Sequence, residues 1–104
     1  MNAILKKKEK ELKALCQKYR VERLYAFGSV TGDQFDPDKS DLDFIVAFQP
    51  GLDPITMGGY LWDMQEELEA MFNRKVDLLY ERPFRNPYFA KAVEESKKLL
   101  YAAA

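Results

Sequence analysis

The chain has 104 residues, enough for one domain with a modest core and too few for a separate domain that would grip a large substrate. Its 16 basic and 17 acidic residues leave a net charge of -1, no footing for non-specific nucleic-acid binding, and the complete lack of histidine excludes Ser-His-Asp triads and histidine-ligated zinc. A single cysteine, Cys16, excludes an internal disulfide and points to a reducing compartment; no apolar run reaches membrane length and no signal-peptide core follows the lysine-rich start, so a cytoplasmic protein is expected.

In chain order, the spacing of Leu5, Leu12, Leu15, Cys16 and Tyr19 predicts an amphipathic helix over 2–20, with KKKEKELK as its solvated face. VERLYAF, 21–27, is rich in strand formers and stops at Gly28-Ser29, a good entry to a short helical turn through Val30 and Thr31. Gly32 and Pro37 make GDQFDPDKS a loop, and LDFIVAF, 42–48, reads as a central strand. From Pro54 to Phe72 the spacing of Ile55, Leu61, Trp62, Met64, Leu68, Met71 and Phe72 predicts a helix. Gly58-Gly59 weakens its first half: either the helix starts after the glycines, or they permit close packing against a neighbour. Asn73 stands where a left-handed helix end is wanted, KVDLLY, 75–80, reads as a third strand, and Asn86-Pro87 opens a last helix carrying Phe89, Val93, Leu99 and Leu100. The three final alanines read as a frayed tail or an appendage. This order predicts a single α/β (α+β) domain over 1–104: a small mixed β-sheet flanked by helices, with the catalytic core at about 21–101.

Residues 28–46 hold five aspartates next to an apolar strand, and desolvating so many like charges is costly unless a cation joins them. Asp41 and Asp43 alternate with Leu42, so an extended backbone projects both from one face. Asp77 lies inside an apolar strand, where an uncompensated charge has no packing reason; if that strand lies beside the second, all three carboxylates converge. Such hard oxygen ligands select Mg2+ or Mn2+ and leave room for phosphates. Gly28-Ser29, between a strand and a helical turn, offers backbone N–H groups and a hydroxyl to an anion. Each fragment has a plain alternative: a turn for Gly28-Ser29, loop solvation for Asp41 and Asp43, an ion pair with Arg74 or Lys75 for Asp77. Together they describe a site for a nucleoside triphosphate with its metal, although the Walker and dinucleotide-fold motifs are missing.

Gly28-Ser29, then Ser40-Asp41-Leu42-Asp43 opening an apolar strand, resembles the signature of the DNA polymerase beta superfamily of nucleotidyltransferases. The stand-alone branch, the minimal nucleotidyltransferases (MNT), is the nearer match: NRKVDLLY is similar to its third-carboxylate stretch, with Asn73 where Gly is usual, and RNPYFAKAV resembles its last helix. The resemblance, from about Leu24 to Tyr101, implies a polymerase-beta-like fold and transfer of a nucleoside monophosphate from an NTP, with release of pyrophosphate. It implies that Asp41, Asp43 and Asp77 are catalytic and hold two Mg2+ ions, that Asp77 helps deprotonate the attacking hydroxyl, and that Gly28 and Ser29 cradle the β and γ phosphates of ATP. Members of the branch are often encoded beside a helical HEPN-type RNase toxin and, as antitoxins, neutralise it by attaching AMP to a tyrosine, so a hetero-oligomer with such a partner is implied. Asp33, Asp36 and Asp38 fall outside the signature and are expected to be solvated loop charges. Three other readings stay open: an antitoxin that only masks its partner, the catalytic subunit of a small-molecule nucleotidyltransferase, and a plain structural domain.

Overall fold

Residue parity along the second strand decides the architecture. In a computed structural model describing residues 2–32, 35–36 and 40–103, β1 (Val21–Phe27), β2 (Leu42–Phe48), β3 (Val76–Tyr80) and β4 (Lys98–Ala102) form one sheet in the order β3-β2-β1-β4. β1 pairs antiparallel with β2 and β4, and β2 runs parallel to β3, so the sheet is mixed as expected. Leu42, Phe44 and Val46 of β2 point to one face, where Leu24, Ala26, Val76 and Leu78 join them in the main core. Asp43 and Ile45 point to the other, which has a smaller cluster of Phe27, Ile45 and Val93.

The main core is closed by α1 (Ala3–Lys7), α2 (Glu9–Lys18) and α3 (Pro54–Phe72) through Leu5, Leu12, Leu15, Cys16, Met64, Leu68 and Phe72. The amphipathic N-terminal stretch is therefore helical, but Lys8 (φ -105, ψ 15) breaks it in two, and it ends at Lys18 rather than residue 20. Its lysines 6, 7, 10 and 13 are exposed, as a solvated face requires. Burial pushes the Cys16 thiol up to about 12, which leaves it a packing residue with little thiolate character.

α3 runs from Pro54 to Phe72 without interruption, and both expectations for its glycines fail. The helix starts before them, because Asp53 caps it by accepting the Thr56 N–H (2.9 Å) and the Thr56 hydroxyl (2.8 Å). Nor do they allow close packing, since a Cβ at Gly58 or Gly59 would meet nothing within 4 Å. Ile55 and Trp62, part of the apolar spacing that predicted the helix, are 88% and 69% exposed on that same stretch. Asn73 ends the helix in the left-handed region (φ 51, ψ 48), as expected.

The C-terminal end corrects the sequence reading most. α4 (Pro87–Ser96), capped by Asn86, stops at Lys97, whose ψ of 139 is extended, and Leu99 and Leu100 belong to β4 instead of the helix. Five residues, KLLYA, are too few for periodicity to separate strand from helix, and here the open edge of β1 decides. The alanines are not simply frayed: Ala102 pairs with Arg23, and the Ala103 N–H donates to the Glu22 carbonyl at 2.9 Å. Asp33 and Asp38 lie outside the described residues, whereas Asp36 is half-buried, its N–H donating to Ser40 Oγ.

Candidate active site

Parallel pairing of β2 with β3 sets Asp43 directly beside Asp77. Register partners point to the same side of a sheet, so both carboxylates stand on the face away from the main core. The Leu42 N–H extends the pairing backwards by donating to the Lys75 carbonyl at 3.1 Å, which brings Asp41, one residue before the strand, to the same end. On the other flank β1 pairs Phe27 with Asp43, and the chain then turns at Gly28 into a 3-10 turn, Gly28–Thr31.

The backbone of Gly28 favours glycine, and its neighbour leaves no room for a Cβ unless the Asp43 side chain shifts. Its φ of +76 is one that L side chains rarely adopt, and a Cβ on it would sit 2.7 Å from Asp43 Oδ2. The turn and the carboxylate are thus in contact, as a shared site needs. The Gly28 N–H, however, does not point freely into the site: it donates to Ser96 Oγ at 3.0 Å. Ser29 is half-buried in the same turn, its carbonyl accepting from the Gly32 N–H.

The electrostatics match crowded anions. Desolvation first, then the charge and hydrogen bonding of Asp77 and the charge of Asp41, raise Asp43 from 3.8 to about 6, with Lys75 opposing. Lys75 Nζ lies 4.0 Å from Asp41 Oδ2, so its cation leans toward Asp41, not toward Asp77 as the ion-pair alternative supposed. Among the described residues no three carboxylates form a ready-made metal cage. The arrangement is a preformed pair, Asp43 and Asp77, with Asp41 near enough to repel it. An all-oxygen donor set in which Asp43 is half-buried and faces two further carboxylates suits a hard divalent cation, which would relieve their repulsion.

Sequence reasoning misplaced one residue beside these carboxylates and missed another. Lys75 carried a signal, since it lies two residues before Asp77 and therefore on its side of an extended chain, but its partner was misassigned. Ser96 carried none, because only the packing of α4 across the sheet brings it to Gly28. That packing rests on Val93 and on Phe89, whose ring meets Phe27 edge-on with centroids 6.0 Å apart.

The sequence model of the family described as "Nucleotidyltransferase domain" matches residues 8–100. Two proteins of Methanocaldococcus jannaschii, each named "Putative protein adenylyltransferase", are similar: MJ1379 at 38% identity over 93 residues and MJ0128 at 33% over 92, both matches covering 88% of this chain and 86% of the relative. Among solved structures, a "putative minimal nucleotidyltransferase" superposes with a TM-score of 0.66 at 25% identity, covering 94% of this chain and 95% of that one. A toxin-antitoxin structure with AMP-PNP gives a TM-score of 0.64 at 24% identity, covering 91% and 73%, and shares the fold. The chain belongs to the nucleotidyltransferase domain family. It is a nucleotidyltransferase with the fold of the minimal branch.

Proposed function

We propose that this protein is a Mg2+-dependent adenylyltransferase acting as an antitoxin, moving AMP from ATP to a tyrosine of a HEPN-type RNase toxin with which it forms a hetero-oligomer. The observation that carries the reading is the in-register Asp43–Asp77 pair in contact with the Gly28 turn. The M. jannaschii relatives named as protein adenylyltransferases support the choice of a protein acceptor. A solved complex of a tri-AMPylated HEPN toxin with an MNT antitoxin, 21% identical with a TM-score of 0.62, supports the choice of partner.

In this reading Asp41, Asp43 and Asp77 hold the metal, two ions in the full complex, which supplies charge neutralisation of the triphosphate and acidification of the attacking hydroxyl. Ser29 and the turn after Gly28 receive the β and γ phosphates. Asp77 accepts the phenolic proton as the tyrosyl oxygen bonds to the α-phosphorus and the bond to the bridging oxygen breaks, releasing pyrophosphate. Lys75 steadies Asp41 in the metal-free protein. No imidazole is needed, because such transfer depends on positioning and charge neutralisation.

The test is to incubate the purified protein with labelled ATP, Mg2+ and a HEPN toxin encoded beside it. Label is expected on a toxin tyrosine, and lost with the double substitution Asp41→Asn, Asp43→Asn while the complex persists. Neutralisation that survives that substitution means masking by binding instead, and label on a metabolite alone means a small-molecule enzyme.

A further inference from the structure

Ser96, the last residue of α4, lies far in sequence from the Gly28-Ser29 and aspartate motifs, yet its hydroxyl reaches the turn beside Asp43. Ser96 Oγ donates its one proton to the Ala92 carbonyl at 2.8 Å, which leaves its lone pairs for the Gly28 N–H, 3.0 Å away. The helix thereby fixes the rotation of the hydroxyl, and the hydroxyl fixes the peptide plane between Phe27 and Gly28. Gly28 also lies against the Asp43 carboxylate, so one left-handed glycine touches both a helix-mounted hydroxyl and a candidate site carboxylate. α4 is itself anchored on this corner by Val93 and by the Phe89–Phe27 contact.

We propose that Ser96 is a positioning residue for nucleotidyl transfer, locking the Gly28 peptide so that the turn presents Ser29 to the triphosphate while the Gly28 N–H stays withheld from it. The inference rests on the reading that this turn receives the triphosphate. A strand-to-turn junction with a left-handed glycine has several peptide orientations within reach, and the hydrogen bond selects one before the ligand arrives. That order of events moves ligand affinity rather than chemistry, because ground state and transition state use the same turn.

The experiment uses the full chain and three substitutions, Ser96→Ala, Ser96→Cys and Ser96→Thr. Calorimetric titration with Mg2+ and a non-hydrolysable ATP analogue is run beside thermal unfolding without ligand and steady-state transfer to the toxin. Ser96→Ala and Ser96→Cys are expected to raise Kd and KM for the nucleotide roughly three- to tenfold, the worth of one hydrogen bond. Under that expectation kcat stays within about twofold, and Ser96→Thr, which keeps the hydroxyl, stays near wild type. Ser96→Cys is close in size to the native residue, so it reports even if Ser96→Ala fails to fold. A lower melting point with unchanged Kd overturns the positioning role and leaves nucleotidyl transfer standing. A wild-type protein that binds no nucleotide overturns the triphosphate reading and this one with it.

Discussion

Asp43 destabilises the metal-free protein in its ionised form, and its surroundings show why. Burial, Asp77 and Asp41 all disfavour its charge, so its folded-state pKa of about 6 lies above the ordinary 3.8. Between those values the folded chain binds more protons than the unfolded one, and stability falls as pH rises through about 6. Asp43→Asn is therefore expected to raise the melting point of the metal-free protein at pH near 8 and to flatten its fall from pH near 5. Thermal unfolding across that range checks it; a variant with the wild-type profile would show that the repulsion is not felt. If Asp43 holds Mg2+ as proposed, the ion competes with the same proton, so its stabilisation of the wild type is expected to be larger at pH near 8 than near 5, and to vanish in Asp43→Asn. At Gly28 a Cβ meets Asp43 Oδ2 at 2.7 Å with φ at +76, so Gly28→Ala is expected to cost stability and to abolish transfer. The conformational part alone is about 1–2 kcal/mol, readable by urea unfolding.

At the scale of elements, α3 is less stable than its length allows. Gly58 and Gly59 sit in a helix interior with open space around them, so alanine fits without strain. Each substitution is expected to stabilise by roughly 0.5–1 kcal/mol, a rise of several degrees in melting point. A loss instead would mean that the glycines serve a contact within the chain. Helix α4 depends on its cap: Asn86 Oδ1 accepts from the Tyr88 and Phe89 N–H groups at 2.9 and 3.2 Å. Asn86→Ala is expected to cost about 1 kcal/mol, and, because Phe89 and Val93 brace the corner at Phe27, to loosen the turn as well. Protection of the Gly28 amide in hydrogen exchange would report that second effect. These elements were legible where local chemistry is decisive. The ends of β1 and β2, the Asn73 helix end and the Asn86-Pro87 entry all follow from residues adjacent in sequence. The break at Lys8 and the exposure of Ile55 and Trp62 were not, since periodicity predicts an apolar face and says nothing about what covers it.

For the whole molecule, among the described residues no helix is long and apolar enough to cross a membrane, and the helices split unequally between the two sheet faces. α1, α2 and α3 close the main core, while α4 covers only part of the other face, where Asp41 and Asp77 are exposed and Asp43 is half-buried. In α3, basic residues are absent and Asp63, Glu66, Glu67 and Glu69 are all acidic, with Glu67 bound by Lys18 and by the Tyr19 hydroxyl. These bonds tie α3 to α2 at the surface, and exposed pairs of this kind contribute under about 1 kcal/mol.

By itself the sequence determined the residue types and their order: strand, glycine turn, paired aspartates, apolar strand, third aspartate. Those are local properties, set by side-chain alternation, by the conformational freedom of glycine and by the absence of histidine. Only the tertiary structure decided that Asp43 stands beside Asp77, that Lys75 leans to Asp41, that Ser96 holds the Gly28 amide and that the last five strand residues join β1. Register, edge pairing and helix docking depend on free energies shared between segments far apart in the chain, which no local pattern encodes.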